Sequence, residues 1–177
     1  MKTPMVDWII KQHKNTNHMY DNYIPYEFHL RMAHDVYDEF HQLLPNFSDG
    51  ESNFQGEVSL AVWGHDLIED TRVSYNDVKK LGYIAANIIY AVTNEKGKTR
   101  KERANTKYYE GIRNTPGAVF VKLCDRIANV RYGVITKSRM VEMYRKENDD
   151  FEKMLGRYTD YKYLNPMFVE LDNLLGL

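Results

Sequence analysis

Between residues 26 and 44 the apolar positions Phe28, Met32, Val36, Phe40 and Leu43 recur every three to four residues. That is the spacing of one buried helical face and predicts an amphipathic helix over 26–44. Residues 45–50 have the composition of a loop. Val58, Ala61, Val62 and Trp63, followed by Leu67 and Ile68, predict a second helix over about 55–69. Ser74 is placed to cap a short helix that stops near Gly82. The run 84–92 (IAANIIYAV) is nearly all apolar, so it is a buried helix or a strand, and Ala85 with Ala86 favours helix. Residues 94–98 form a turn, and a charged helix is expected over 99–113. A break at 114–117 follows, with Thr115 as N-cap and Pro116 at the first helical position. The segment 118–130 (AVFVKLCDRIANV) has few charges and must cross the core. Its β-branched residues leave a strand open, while Leu123, Ile127 and Val130 fit a helical face. A polar helix over 138–158 and a short one ending in FVELDNLL complete an all-α pattern without internal repeats.

A chain of 177 residues with this pattern is expected to be one domain spanning 1–177. Hydrophobic residues make up 43% and charged residues 28%, which argues against a long disordered chain, a collagen-like repeat and a disulfide-dense scaffold. No apolar run approaches the length of a membrane span, and the start MKTPMVDWIIKQHK lacks the pattern of a signal peptide. The single cysteine, Cys124, has no internal partner, so a cytoplasmic location is expected, with Cys124 as a small core residue. A net charge of −1 gives no global field for nucleic acid, and homo-oligomerisation stays open.

The densest chemistry lies in Trp63-Gly64-His65-Asp66-Leu67-Ile68-Glu69-Asp70-Thr71. On a continuous helix His65 would share a face with Glu69, and Asp66 with Asp70. Three carboxylates so close repel one another unless a cation or proton intervenes; otherwise the segment is an exposed acidic helix end. Asp125 is embedded in a core-like segment, where an unpaired carboxylate is costly. It therefore serves a cation or a salt bridge, to Arg126 or another base. His29 taken alone is more often a packing residue than a ligand.

Three ordered blocks carry a family resemblance. They are Pro25-Tyr26-x-x-His29, His65-Asp66-x-x-Glu69-Asp70-Thr71 and Lys122-Leu123-x-Asp125-Arg126-x-x-Asn129. Over roughly residues 20 to 150 they resemble the HD-domain phosphohydrolases, and more narrowly the hydrolase domain of the Rel/Spo enzymes that remove the 3′-pyrophosphate from (p)ppGpp. The segment 91–103, with Asn94-Glu95-x-Gly97-Lys98-x-Arg100, is similar to small stand-alone members.

The resemblance implies a helical HD bundle in which His29, His65, Asp66 and Asp125 bind one divalent ion, typically manganese. Glu69 and Asp70 match the acidic pair that activates or positions the attacking water, and such an ion lowers that water's pKa and polarises a phosphoryl oxygen. Asn129, Lys122 and Tyr26 fall at the nucleotide. Lys98 and Arg100 belong to a basic cluster with Lys96, Lys101 and Arg103 that either grips phosphate or forms a solvated helix face. The implied reaction releases pyrophosphate from a small nucleotide, a guanosine or adenosine alarmone, with no room for a synthetase domain. A phosphomonoesterase acting on nucleoside monophosphates or NADPH, or a sensor without turnover, are the alternatives. The basic, serine-containing segment usual before the Pro-Tyr pair is replaced here by residues 18–24, where Tyr20 or Tyr23 could stack on a purine or pack in the protein. His13 and His18 read as surface residues, and His34 and His41 as too far around their helix to join His29.

Overall fold

The computed structural model describes residues 3–45 and 53–177. The expected loop at 45–50 therefore lies, beyond Pro45, outside the described residues. Eleven helices follow one another in the described chain: α1 (Pro4–Asn15), α2 (Glu27–Phe40), α3 (Phe54–Gly64), α4 (Leu67–Asp70), α5 (Tyr75–Val78), α6 (Tyr83–Val92), α7 (Arg100–Arg103), α8 (Thr106–Arg113), α9 (Ala118–Ile135), α10 (Met140–Leu155) and α11 (Asn165–Leu175). The only extended pairing among the described residues is an isolated bridge between Met19 and Pro25.

The segment 118–130 is the first part of α9, which settles helix over strand. This helix is the axis of the fold: α2, α3, α6, α8, α10 and α11 all pack on it. Phe120, Leu123, Ile127 and Val130 are fully buried along it, each worth about 1.5–3 kcal/mol relative to exposure. Cys124 is buried among them, as expected. The entry to α9 is set by Gly117 rather than by Thr115 and Pro116. Gly117 has φ +87°, and a Cβ there would sit 2.9 Å from Ile88 Cδ1. The Thr115 hydroxyl instead donates back to the Gly111 carbonyl of α8.

Two expected helices are each divided. The 55–69 helix breaks at His65 and Asp66, separating α3 from α4. His65 Nδ1 donates to the Val62 carbonyl at 2.8 Å, the acceptor that Asp66 N–H would use in a continuous helix. The 99–113 helix breaks at Ala104, and Asn105 starts α8 by accepting from Tyr108 N–H at 3.1 Å. Ser74 does cap its short helix, in a reciprocal box with Asp77. The 138–158 helix is α10, which ends at Gly156 with φ +79°.

The amino-terminal helix α1 has no counterpart in the predicted pattern. Its signals are Thr3 as N-cap, accepting from Val6 N–H, and Pro4 at the first helical position. Val6, Ile9, Ile10 and His13 form its buried stripe, which brings His13 against the loop that precedes α2.

Candidate active site

The break between α3 and α4 at residue 65 shapes the site. Because α3 stops there, His65 and Asp66 turn together toward α2 and α9. His29 on α2 meets His65 with their Nε2 atoms 3.1 Å apart. Asp66 Oδ2 lies 2.8 Å from His65 Nε2 and 3.8 Å from His29 Nε2. Asp125 on α9 closes the other side, its Oδ1 3.3 Å from His29 Nε2 and 3.6 Å from His65 Nε2. Both imidazoles are buried, at 1% and 3% exposure. All four residues that the resemblance assigns to an ion are thus brought together, and His29, His65 and Asp66 form a group able to hold a divalent cation.

The donor set suits such a cation: two imidazole nitrogens and carboxylate oxygens are hard-to-borderline ligands. The bond to Val62 fixes the proton of neutral His65 on Nδ1 and leaves Nε2 bare toward the centre. His29 is less prepared, since its Nδ1 is buried without a hydrogen-bond partner. Coordination through its Nε2 would place the ring proton on that nitrogen.

Charge in the cluster follows from its composition. Burial opposes ionisation of Asp66 and Asp125, yet His65 holds Asp66 below its ordinary range, and Lys122 with the two imidazoles holds Asp125 well below it. For His65 burial acts downward, but Asp66 and Asp125 outweigh it and raise the imidazole well above its ordinary value. The two carboxylates therefore recruit positive charge to the point where His29 and His65 converge.

Around the cluster every polar arm is tethered. Tyr26 donates its hydroxyl to Asp66 Oδ2. Lys122 Nζ lies 3.0 Å from Asp125 Oδ2. Asn129 Nδ2 donates to Asp125 Oδ1 at 2.6 Å, and its Oδ1 accepts from the Tyr20 hydroxyl at 2.9 Å. Tyr20 packs flat on His29, with ring centroids 4.8 Å apart. Of the two tyrosines weighed for stacking on a base, Tyr20 is thus built into the cluster, while Tyr23 is 89% exposed. Arg126 does not bridge to Asp125; it lies over the rings of Tyr144 and Phe151 and pairs with Glu147 at 3.6 Å.

Glu69 and Asp70 leave the cluster on α4 in different directions. Glu69 is gripped by Asn94, whose Nδ2 lies 2.9 Å from both carboxylate oxygens and whose backbone N–H lies 3.3 Å from Oε2. It does not share a face with His65, because the helix that would align them is broken. Asp70 stays close to Asp66 in charge: burial, Asp66 and Glu69 together push its carboxyl up to about 7. A cation in the cluster would oppose that rise.

These groups open onto a pocket of about 1040 Å³. Tyr26, Asp66, Glu69, Asp70, Lys122 and Asn129 face it, and its outer wall carries Arg100, Arg103, Arg126, Lys146 and Lys153. Lys98 lies outside this wall; it is exposed, and its backbone N–H caps onto Glu102. Most of the wall cations are already matched by acids, Arg100 with Glu147 at 3.1 Å and Lys153 with Asp149 at 2.5 Å. His34 and His41 stand apart, bound to Ser59 and to the Asp38 carbonyl. His13 is buried rather than on the surface and His18 is half-buried: both stack with Tyr26, and His18 lies beside Asp70. Their signal in the sequence is His13 continuing the Val6-Ile9-Ile10 stripe.

An all-helical bundle with paired His and Asp residues at its centre is the helical HD fold, the class that the ordered blocks resemble. A solved structure of a metazoan ortholog of SpoT, one that hydrolyzes ppGpp and plays a role in starvation responses, matches 99% of this chain and 96% of its own with a TM-score of 0.67. At 19% identity that likeness establishes the fold. In sequence, 75 residues are 32% identical to the guanosine-3′,5′-bis(diphosphate) 3′-pyrophosphohydrolase MESH1 of Drosophila melanogaster, and the match spans 42% of either chain. No family model matches. Among the described residues, no helix is long and apolar enough to cross a membrane.

Proposed function

We propose that this chain is a single HD-type domain that hydrolyses the 3′-pyrophosphate of an alarmone nucleotide, (p)ppGpp or (p)ppApp, in the cytoplasm. The observation that carries the reading is the convergence of His29 and His65 with Asp66 and Asp125, two carboxylates that line the same pocket as Glu69 and Asp70. The matched relative in sequence is named for this reaction, and the matched structure is that of a ppGpp hydrolase.

In this reading His29, His65, Asp66 and Asp125 hold one divalent ion, manganese, which would polarise the phosphoryl group and acidify water. Asp70, four residues on from Asp66 and facing the same pocket, is the base that takes a proton from the attacking water. Glu69, fixed by Asn94, orients that water. One P–O bond forms to the water oxygen, the bond to the ribose 3′-oxygen breaks, and that oxygen leaves protonated with pyrophosphate as the other product.

Tyr26, Lys122 and Asn129 shape the inner pocket, and Arg100 leads the outer cationic wall, with Lys98 beyond it. A polyphosphate competes with Glu147 for Arg100 and Arg126, which exchanges one set of ion pairs for another and favours the more highly charged ligand.

The test is product analysis with manganese and a panel of ppGpp, ppApp, NADPH and nucleoside monophosphates, with Asp66→Ala alongside. Pyrophosphate from an alarmone, absent in the variant, is expected and identifies the base. Orthophosphate from a monoester would overturn the substrate and keep the site. Tight nucleotide binding without product would make the protein a sensor.

A further inference from the structure

The two histidines beside the cluster form an oriented pair that the reaction described above does not use. His13, in the last turn of α1, is 1% exposed, and its ring lies 4.7 Å from that of Tyr26. His18 lies just beyond α1, its backbone N–H bonded to the His13 carbonyl and its own carbonyl accepting from Tyr26 N–H. Its ring stacks on Tyr26 at 3.8 Å with only 20° between planes. The two Nδ1 atoms face each other at 3.1 Å. The far nitrogen of His18, Nε2, points at Asp70 Oδ2 at 3.8 Å.

The protons of this pair can be placed by elimination. Burial pulls His13 down to about 4, so its ring is neutral at pH 7 and carries one N–H. His13 Nε2 is buried with no partner. A stranded buried N–H is rarer than a bare acceptor, so the proton sits on Nδ1 and is donated to His18. His18 Nδ1 is then an acceptor, and its own proton lies on Nε2. The other end agrees where Asp70 is ionised: an N–H facing its carboxylate oxygen is attracted, whereas a bare nitrogen lone pair is repelled. The charged and titratable groups facing His18 are Asp70, His13 and Tyr26, with Asp66 and His29 further off.

We propose that His18 is a positioning residue for Asp70: its Nε2–H, aimed by His13 and Tyr26, holds one carboxylate oxygen and leaves the other for the water proton. The present separation exceeds a hydrogen bond by about 1 Å, a gap that a small rotation of the Asp70 side chain can close. His18 falls in the 18–24 stretch where the chain departs from the family pattern. The inference rests on the hydrolytic reading for its kinetic consequence and on geometry alone for its tautomers.

Two readouts test it. Long-range ¹H–¹⁵N spectra of the histidines, in metal-free and zinc-loaded protein, should show His13 protonated at Nδ1 and His18 at Nε2. In steady-state turnover of the alarmone, His18→Ala should lower kcat by about 10-fold or more with KM changed less than about 2-fold. His18→Gln, whose amide N–H can reach the same oxygen, should recover most of that loss. A His18 protonated at Nδ1, an unchanged kcat in His18→Ala, or a Gln variant no better than Ala would each overturn the proposal. If wild type makes no product from any alarmone while the tautomers are as expected, the reading of the reaction fails and the His18–Asp70 arrangement stands.

Discussion

Asn94 holds Glu69 by three contacts at once, its Nδ2 at 2.9 Å from each carboxylate oxygen and its backbone N–H at 3.3 Å from Oε2. The two residues come from different elements, α4 and the turn after α6, so the acid is fixed across the mouth of the pocket rather than by its own short helix. Asn94→Asp would put a second carboxylate against Glu69 and convert attraction into repulsion. We expect kcat for alarmone hydrolysis to fall about 10-fold or more, with the bound metal retained. Glu69→Gln keeps the contact to the Asn94 backbone and should slow turnover by about 100-fold or more. Unchanged turnover in both variants would remove Glu69 from the mechanism.

A stability prediction concerns the turn between α5 and α6. The Glu57 carboxylate on α3 accepts from the backbone N–H groups of Ile84 at 2.8 Å and Ala85 at 3.1 Å, satisfying the free donors at the start of α6. Gly82 has φ +120°, and a Cβ there would fall 2.1 Å from Glu57 Oε2. Gly82→Ala should therefore cost about 1–3 kcal/mol through backbone strain and loss of the cap. Thermal unfolding should show a fall of several degrees. A melting temperature equal to wild type would mean that residue 82 takes a Cβ at this φ without strain and without displacing Glu57.

Most of the helices were legible in the sequence because their signals are local, apolar spacing and caps. His29, His65, Asp66 and Asp125 were reached together only through the resemblance of the three ordered blocks, since His29 alone reads as a packing residue and Asp125 as half of a salt bridge. The division of the 55–69 helix was not, because it depends on the His65 imidazole taking the Val62 carbonyl. That single bond also undoes the expected pairing of His65 with Glu69. Lys98 and Arg100 look equivalent in sequence, yet only Arg100 turns to the pocket, since the Thr99–Glu102 box fixes the start of α7 between them. His13 and His18 are invisible without α1, whose Thr3-Pro4 start was the available clue. Their role depends on stacking with Tyr26, which no spacing rule reaches.

Asn129, which the resemblance places at the nucleotide, makes its contacts inward. Its Nδ2 donates to Asp125 Oδ1 at 2.6 Å, and the Tyr20 hydroxyl secures its other end. Asn129→Ala should loosen Asp125 and weaken manganese affinity about 10–100-fold. Tyr20→Phe, which keeps the ring on His29 and removes only the hydroxyl, should give a smaller effect in the same direction. Titration calorimetry with manganese is the direct measurement. Equal affinity in wild type and Asn129→Ala would leave Asn129 free to serve the nucleotide alone.

Cation binding should expel protons from the cluster. In the ion-free protein Asp66 and Asp125 outweigh burial and raise His65 well above its ordinary value, so at neutral pH positive charge already sits between the carboxylates. A divalent ion needs the bare Nε2 of that ring, and the proton must leave as the ion enters. The sign follows: the raised imidazole keeps its proton at low pH and competes with the ion, so affinity climbs as pH rises through the ordinary histidine range and beyond. One proton released per ion corresponds to about a tenfold gain in affinity per pH unit. Calorimetry in buffers of differing ionisation enthalpy counts those protons. At an ion concentration 100 times Kd, the fold should also gain about 2.7 kcal/mol against unfolding. Asp66→Ala should lose both the release and the gain. Affinity that is flat between pH 6 and 8, with no proton released, would show that His65 does not meet the ion.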